Sequence, residues 1–543
     1  MAEGQFSVRN QNVLFRNRFI VKHKPYRVSL TSDYICWEQE TRTDLRTVLP
    51  WEEVISLSPC DCDISARHVK CQYCQYNPDQ CRTGLGEQVP LQARAVKLYY
   101  AERCGKYKWR LATVTFHPQK GFVVRELLGA AKKVLQGLNR PHRLLIFINP
   151  YGGKKAALQI FEKKVAPLLQ LAGIDIEVIV TQYANHARNM IQEIDIEHFD
   201  GVVCVGGDGM FSELLNGLLV RTQKKAGVNY NLPSSSLVTP LICLGVIPAG
   251  STDAVTYCTT GINDPVTSTL LIIMGAKLSI DICSIHHDKY LLQYATSFLS
   301  YGYFGDTLVD SEKHRWMGPK RYDYSGCKKF LQGQLYEGEI KLAVTSVVDS
   351  QNDKDRCRAG CKVCTTVTRT GIDSGAEGIK QDSGKDPKYL KVRGKFIAIN
   401  VATMTCRCAM TKDGISPTAH LGNGCTDVIL VTKCSRLNFL RYLFRTAFHN
   451  ANPFDFDFVQ FYRVSEFQFS PIEYSSQITS SEDQSIQENE PKKSVWNCDG
   501  EILSEPTIHV KVHQQLINLY AYGIEERDQQ ICCNMCCGSC KNM

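Results

Sequence analysis

The chain has 543 residues, 43% hydrophobic and 22% charged, values of a globular protein long enough for roughly three or four domains. Its net charge of +8 suits an anionic membrane surface or a phosphate-rich ligand. It is too small to argue for nucleic acid, and no basic arm or RNA-binding motif accompanies it. The polar start from Met1 to Asn12 argues against a signal peptide, and no apolar run approaches the ~20 residues that span a bilayer. With 25 cysteines and no secretory signal, a cytoplasmic protein in a reducing compartment is expected, one that could attach peripherally to a membrane.

After a short N-terminal tail (1–17), residues 18–139 read as a β-rich module closed by a helix. Runs at 27–30, 34–37, 54–57, 95–100 and 111–116 predict strands. Val123, Leu127, Leu128, Ala131, Val134, Leu135 and Leu138 then recur at helical spacing. Strands capped by one C-terminal helix resemble a pleckstrin homology (PH) domain, a family that binds phosphoinositide headgroups or protein partners. Cys60, Cys62, Cys71, Cys74 and Cys81 fall inside this module. Cys71-x-x-Cys74 offers half of a zinc site, and the competing reading is a long exposed loop of unpaired thiols.

Pro141 marks the start of an α/β region, 140–278. A strand at 144–148 runs into Asn149, Pro150, Tyr151, Gly152 and Gly153, and a helix at 157–171 follows. A strand at 177–180 leads to Thr181, Gln182, Tyr183, Ala184 and Asn185. The apolar run at 202–205 breaks into Gly206-Gly207-Asp208-Gly209, after which Phe211, Leu214, Leu215, Leu218 and Leu219 predict a helix. A further strand at 241–247 ends in Pro248, Ala249, Gly250, Ser251 and Thr252. Such alternation predicts a parallel sheet, and ligands bind these sheets at the carboxyl ends of the strands. All three glycine turns would then share one edge. Each turn lets backbone amides approach a phosphate beside the positive end of a helix. One glycine motif alone is equally a tight turn; three on one edge favour phosphate. Asp208, a carboxylate in such a turn, is suited to take a proton from an attacking hydroxyl or to coordinate Mg²⁺.

Beyond 278 the chain turns β-rich, with strands at 291–299, 339–344, 395–402, 428–432 and 459–469. Polar, poorly periodic stretches at 365–388 and 473–494 read as exposed insertions. This second domain is expected to span 279–527, followed by a cysteine-rich tail, 528–543.

Asn149-Pro150-x-Gly152-Gly153, Gly206-Gly207-Asp208-Gly209 and Pro248-x-Gly250-Ser251-Thr252 are similar, in order and spacing, to the diacylglycerol kinase catalytic domain shared by lipid kinases. The segments from Asp310 to Tyr322 and from Trp496 to Glu501 resemble those of sphingosine and ceramide kinases. Cys357-x-x-x-Cys361-x-x-Cys364 resembles the cysteine motif of ceramide kinases. The resemblance covers about residues 18–527. It implies an α/β nucleotide-binding domain and a β-sandwich domain, preceded by the PH-like module. It also implies ATP- and Mg²⁺-dependent phosphorylation of the primary hydroxyl of ceramide, giving ceramide 1-phosphate at the Golgi or plasma membrane.

On that resemblance Asp208 is the base and Gly206, Gly207 and Gly209 lie at the substrate. The nucleotide falls to Asn149, Pro150, Tyr151, Gly152 and Gly153, to Thr181, Gln182, Tyr183, Ala184 and Asn185, and to Gly250, Ser251 and Thr252. Glu213 contacts ATP or its metal, Arg315 and Arg321 the phosphates, and Asp499, Gly500 and Glu501 form a late nucleotide-site turn. Asp306 and Asp310 are candidates for reading the lipid's amide and hydroxyls. The rival enzymes are a sphingosine or diacylglycerol kinase. A non-catalytic lipid-binding or scaffolding protein would have lost the base or the phosphate turns, and all are present.

Other features stand apart from this site. Cys357, Cys361 and Cys364 have metal-like spacing, and Cys406 or Cys408 could complete a zinc tetrahedron; a redox-sensitive thiol cluster is the rival. His286 and His287 are adjacent on a strand, point to opposite faces, and do not suit one shared metal. The basic, amphipathic stretch from Arg436 to Arg445 suits Ca²⁺-calmodulin or a membrane surface, or else a core-packed helix. Cysteines 532–540 suggest S-palmitoylation, metal binding or a disordered tail.

Overall fold

The computed structural model describes residues 13–60, 94–118, 122–153, 155–318, 320–344, 355–365, 389–448, 453–472 and 493–525. The Cys71–Cys74 pair, residues 366–388 and 473–492 of the polar insertions, and the cysteine-rich tail lie outside these residues. The chain divides into two compact units. One comprises Met1–Leu144, Gln159–Glu177 and Asp264–Ala276, and the other Leu145–Leu158, Val178–Asn263 and Lys277–Met543.

In the first unit, short strands place their apolar residues on one face. β1 (Phe15–Val21), β2 (Lys24–Leu30), β3 (Tyr34–Gln39), β4 (Arg42–Pro50), β5 (Val54–Cys60), β6 (Ala95–Gly105) and β7 (Lys108–Pro118) form an antiparallel sheet of order β4-β3-β2-β1-β7-β6-β5. Helix α1 (Phe122–Gln136) closes it, laying Val123, Val124, Leu127 and Ala131 on Phe19, Val28, Ile35, Leu98 and Phe116. The buried Trp51 indole donates to the Thr31 carbonyl (2.9 Å), satisfying the polar end of an otherwise apolar side chain. Cys60, at the end of β5, is disulfide-bonded, unlike the free thiol expected there.

The second unit joins two kinds of sheet. β8 (Arg143–Ile148), β9 (Asp175–Val180), β10 (Gly201–Gly206) and β11 (Cys243–Pro248) are ordered β11-β10-β8-β9. The first residues of β8 and β9 belong to the first unit. β10 is buried along its whole length, as a strand covered on both faces must be. It pairs with β11 in parallel from Gly201↔Cys243 to Gly206↔Pro248. The following helices are α2 (His186–Glu193), α3 (Asp208–Lys225), α4 (Ala254–Thr260) and, in the first unit, α5 (Pro265–Ile273).

The β-rich part is antiparallel. β12 (Leu278–His287) pairs with β13 (Tyr290–Ala295) and with β21 (Ile508–Leu519), and β21 also adjoins β11. β14 (Phe298–Gly302) leads into α6 (Tyr303–Glu312) and α7 (Lys320–Gln332). β15 (Tyr336–Val344), β16 (Leu390–Ala402), β17 (Thr426–Thr432), α8 (Arg436–Ala447) and β18 (Val459–Pro471) follow, and β19 (Trp496–Cys498) and β20 (Glu501–Leu503) precede β21. β16 and β18 each pair with β15 over one half and β17 over the other, the way a sheet turns a corner onto itself. The run expected as one strand at 291–299 is two, β13 and β14, because the chain turns at Thr296 and Ser297. Among the described residues no helix is long and apolar enough to cross a membrane.

Candidate active site

The three glycine turns meet. Asn149 donates its amide to Val205 (3.1 Å) and Ala249 donates to Gly206 (3.0 Å), so β8, β10 and β11 end side by side. Asn149 Oδ1 then accepts from the amides of Tyr151 (2.9 Å) and Gly152 (3.1 Å), a side-chain turn that reverses the chain. Gly153 has φ +55°, and a Cβ there would stand 2.9 Å from the Ala249 carbonyl and Gly250 Cα. A Cβ on Gly250 would stand 2.5 Å from Gly207 Cα. Backbone meets backbone at these approaches, so only glycine fits there. Gly209, by contrast, faces open space.

Asp208 opens α3 beside this junction. Its Oδ2 accepts from Ala254 N (3.0 Å) and its Oδ1 from Val255 N (3.1 Å), the first amides of α4. Burial pushes its carboxyl up to about 6 against those two amides, and the charges of Asp253 and Asp499 push the same way. Buried Asp253 accepts from Gly250 N (3.0 Å) and Asn263 Nδ2 (2.7 Å), holding its own turn. Asp499 accepts from the amides of Thr296 (2.7 Å), Ser297 (3.0 Å) and Phe298 (2.7 Å) and from the hydroxyls of Thr296 (3.1 Å) and Ser297 (2.5 Å). It thereby fixes the β13–β14 turn.

Glu501 accepts from Gln293 Nε2 (3.0 Å), which also donates to Ser212 on α3 (3.1 Å). Burial raises the Glu501 carboxyl, assisted by the charges of Asp499 and Glu213 and opposed by Arg188. Glu213 accepts from Ala187 N at the start of α2 (3.2 Å). Asn216, also on α3, makes reciprocal bonds with the backbone of Tyr294 on β13 (2.8 and 3.1 Å). The late Asp499-Gly500-Glu501 turn is thus tied electrostatically and through Gln293 to the helix that Asp208 begins.

Other expected residues lie as follows. Pro150, Ser251 and Thr252 stand in the converging turns, and Tyr151 is exposed. Thr181 is buried and bonds Ile148 O through its amide (2.9 Å) and hydroxyl (3.2 Å). Gln182 N donates to His186 Nδ1 (3.1 Å), Tyr183 stacks on that ring (4.5 Å), Ala184 is exposed, and Asn185 has φ +65°. Arg315 and Arg321 both engage Glu312, at 2.6 Å from Arg315 Nε and 3.1 Å from Arg321 Nη1.

Asp306 accepts from the hydroxyls of Tyr336 and Ser494. It lines a cavity of about 200 Å³ walled by Tyr303, Phe330, Leu335, Ile397 and Phe439. Asp310 instead accepts from Ser325 Oγ (2.9 Å) and Lys328 Nζ (2.7 Å). Burial raises its carboxyl, but those two donors outweigh this and hold it below the usual range. His286 and His287 bond to different carbonyls, Asn231 O (3.1 Å) and Thr507 O (2.7 Å).

One acid, Asp253, and one amide, Gln293, were missed as parts of the site, and Asp499 was expected there without its clamping role. Asp253, Gln293 and the clamping role of Asp499 carry no local signal, since each acts on a backbone or side chain brought near by the fold. The sole hint was Asp253's position four residues after Ala249 in a polar turn.

The chain is similar to known lipid kinases. Residues 143–285 match the diacylglycerol kinase catalytic domain, and residues 298–537 match the ceramide kinase C-terminal domain. A ceramide kinase of Homo sapiens is 43% identical over 453 residues, 80% of this chain and 83% of that one. A ceramide kinase of Arabidopsis thaliana is 30% identical over 501 residues, 77% of this chain and 79% of that one. A solved diacylglycerol kinase of Bacillus anthracis str. Sterne has 13% identity and a TM-score of 0.42, covering 70% of this chain and 97% of that one.

Proposed function

The chain belongs to the ceramide kinase family, and from that premise we propose that it transfers the γ-phosphoryl group of ATP to the primary hydroxyl of ceramide with Asp208 as the base. The observation that carries the assignment is the Asp208 carboxylate, raised to about 6, at the junction of three glycine turns. A base near that value is ionised at neutral pH yet still basic enough to accept a hydroxyl proton. The lipid oxygen forms its bond to the γ-phosphorus as the bond to the β–γ bridging oxygen breaks. ADP leaves, and the hydroxyl proton passes to Asp208.

The backbone of the turns around Gly152, Gly207 and Gly250 would cradle the phosphates, because its close packing leaves no room for a β-carbon at Gly153, Gly207 or Gly250. The charges of Asp253 and Asp499 raise the Asp208 carboxyl, and those of Asp499 and Glu213 raise the Glu501 carboxyl, so negative charge accumulates where a divalent cation would be welcome. Glu213 and Glu501 are the carboxylates that would hold Mg²⁺, which supplies charge neutralisation for the phosphates when bound. Arg315 and Arg321, held by Glu312, would reach the phosphates by releasing it. The cavity beside Asp306 offers aromatic walls for an acyl chain and one acid for an amide or hydroxyl.

The N-terminal module, seven antiparallel strands closed by one helix, is read as PH-like, and it would attach the enzyme peripherally to phosphoinositide or other anionic lipid. Flotation with phosphoinositide vesicles checks this; equal flotation with neutral vesicles opposes it. Helix α8 is the segment that would engage Ca²⁺-calmodulin. Its Phe439 and Tyr442 are buried in the fold, so capture requires the helix to leave its seat, and a peptide of α8 that fails to bind at micromolar calmodulin removes the idea.

The deciding experiment offers ceramide, sphingosine and diacylglycerol with labelled ATP to the wild type and to Asp208→Asn. Labelled ceramide 1-phosphate from the wild type alone is expected. A preference for sphingosine or diacylglycerol reassigns the substrate, and full activity in the variant overturns the base.

A further inference from the structure

Far along the chain from the glycine turns, the fold gathers a second chemical cluster. The ligand atoms of Cys357, Cys361, Cys364 and His420 all lie within 4.8 Å of one another. Cys357 Sγ stands 3.9 Å from Cys364 Sγ, and Cys361 Sγ stands 3.3 Å from His420 Nδ1. A disulfide needs about 2.05 Å between sulfurs, so the Cys357 and Cys364 thiols are not joined. A tetrahedral zinc with Zn–S of about 2.3 Å and Zn–N of about 2.05 Å needs sulfurs about 3.8 Å apart and sulfur–nitrogen edges of about 3.6 Å. The two measured edges bracket those values.

We propose that Cys357, Cys361, Cys364 and His420 bind one structural zinc ion. The set is closed, with three sulfurs and one imidazole and no position left for water, which is the form of a structural rather than a catalytic site. Binding releases the three thiol protons and leaves a complex of net charge −1 beside Arg358, whose Nη1 donates to Cys357 O (3.0 Å). The fourth ligand is His420, not Cys406 or Cys408 as the spacing suggested. Cys406 Sγ is committed to Ser297 O (3.1 Å), and Cys408 Sγ pairs with Thr411 Oγ1 (3.1 Å).

The ion would staple two otherwise irregular segments. The ligands on 355–365 are anchored by Ala359 N to Ile524 O (2.9 Å) and by Gln515 Nε2 to Cys364 O (3.1 Å). His420 lies in the β16–β17 connection. That connection reaches α4 through Thr405 Oγ1 and Arg407 N, both bonded to Cys258 Sγ (3.3 and 3.2 Å). It reaches the Asp499-held turn through Cys406 and Ser297. Helix α4 in turn supplies the amides that hold Asp208. Zinc thus braces the support of the active site without touching the reacting groups.

Metal analysis of the full chain, purified without chelator, is expected to show about one zinc per chain. Replacement by cobalt(II) is expected to give the thiolate charge-transfer band and the intense d–d absorption of a tetrahedral sulfur-rich site. His420→Ala should lose most of the bound zinc, His420→Cys should regain it as a four-sulfur site, and Cys408→Ser should keep it. Clearly sub-stoichiometric zinc in the wild type, equal zinc in His420→Ala, or a Cys357–Cys364 disulfide found by non-reducing peptide mapping would each overturn the assignment. The wild-type metal content and cobalt spectrum decide the matter even if a variant fails to fold.

Discussion

At the scale of single residues, the proposed chemistry turns on Asp208. Its carboxyl titrates near 6 because burial and two neighbouring acids outweigh two amide donors. The base works only when ionised, so kcat/KM should fall about tenfold per pH unit below about 6 and level off above it. A profile flat between about pH 5 and about pH 8 would remove the base role. Asp208→Asn should lower kcat by about 10²- to 10⁴-fold with a smaller change in KM for the lipid. Gly250 tests the site's other requirement. An added Cβ would meet Gly207 Cα at 2.5 Å and Asp253 Oδ1 at 2.6 Å, so Gly250→Ala should cost about 1–3 kcal/mol of stability and most ATP-dependent activity. Gly209 faces open space in a helix, so Gly209→Ala should hold or raise stability by up to about 1 kcal/mol. Lost activity there with stability kept would mark that space as the substrate's. Asp208 and the glycines are legible in the sequence because their residue types are themselves the signal. Asp253 and Gln293 are not, because an acid or an amide becomes a site residue only by what stands next to it.

At the scale of elements, the strands and helices that carry the three turns follow from apolar runs that end in glycine, and the structure has them where the pattern puts them. The break between β13 and β14 is different. Leu, Tyr and Phe spacing over 291–299 suits an unbroken strand, and the chain turns there only because Asp499, some two hundred residues later, supplies five acceptor contacts to Thr296, Ser297 and Phe298. A long-range carboxylate overrides a local preference. The corner formed by β16, β17 and β18 is held in a comparable way. Arg463 on β18 is fully buried and donates to both oxygens of Asp427 on β17 (2.7 and 3.2 Å) and to Thr418 O (2.8 Å). Arg463→Ala leaves Asp427 charged in the interior and should cost about 3–5 kcal/mol in urea unfolding. The double variant with Asp427→Ala should cost clearly less than the sum of the two single changes. Additive costs would mean that the pair is not coupled.

At the scale of the whole molecule, the N-terminal module is continuous with later chain. Helix α5 belongs to the same unit as β1–β7, and its Thr267 hydroxyl and the Trp109 backbone bond to each other (3.1 and 3.4 Å). Its Leu270, Leu271, Ile272 and Ile273 are all buried. A chain lacking residues 1–138 should therefore expose this helix, bind the apolar dye ANS and aggregate; a monodisperse truncated chain with unchanged Tm would refute this. The sequence by itself determined the class of fold, the three phosphate-compatible turns, the candidate base and the family, because periodicity, glycine punctuation and motif residues are local and survive without a partner. Only the tertiary structure decided which acids surround Asp208, that Arg315 and Arg321 rest on Glu312, and that His420 joins the three cysteines. Hydrogen bonds, charges and metal ligation act over a few ångströms, and residues that close in space are dozens to hundreds of positions apart in the chain.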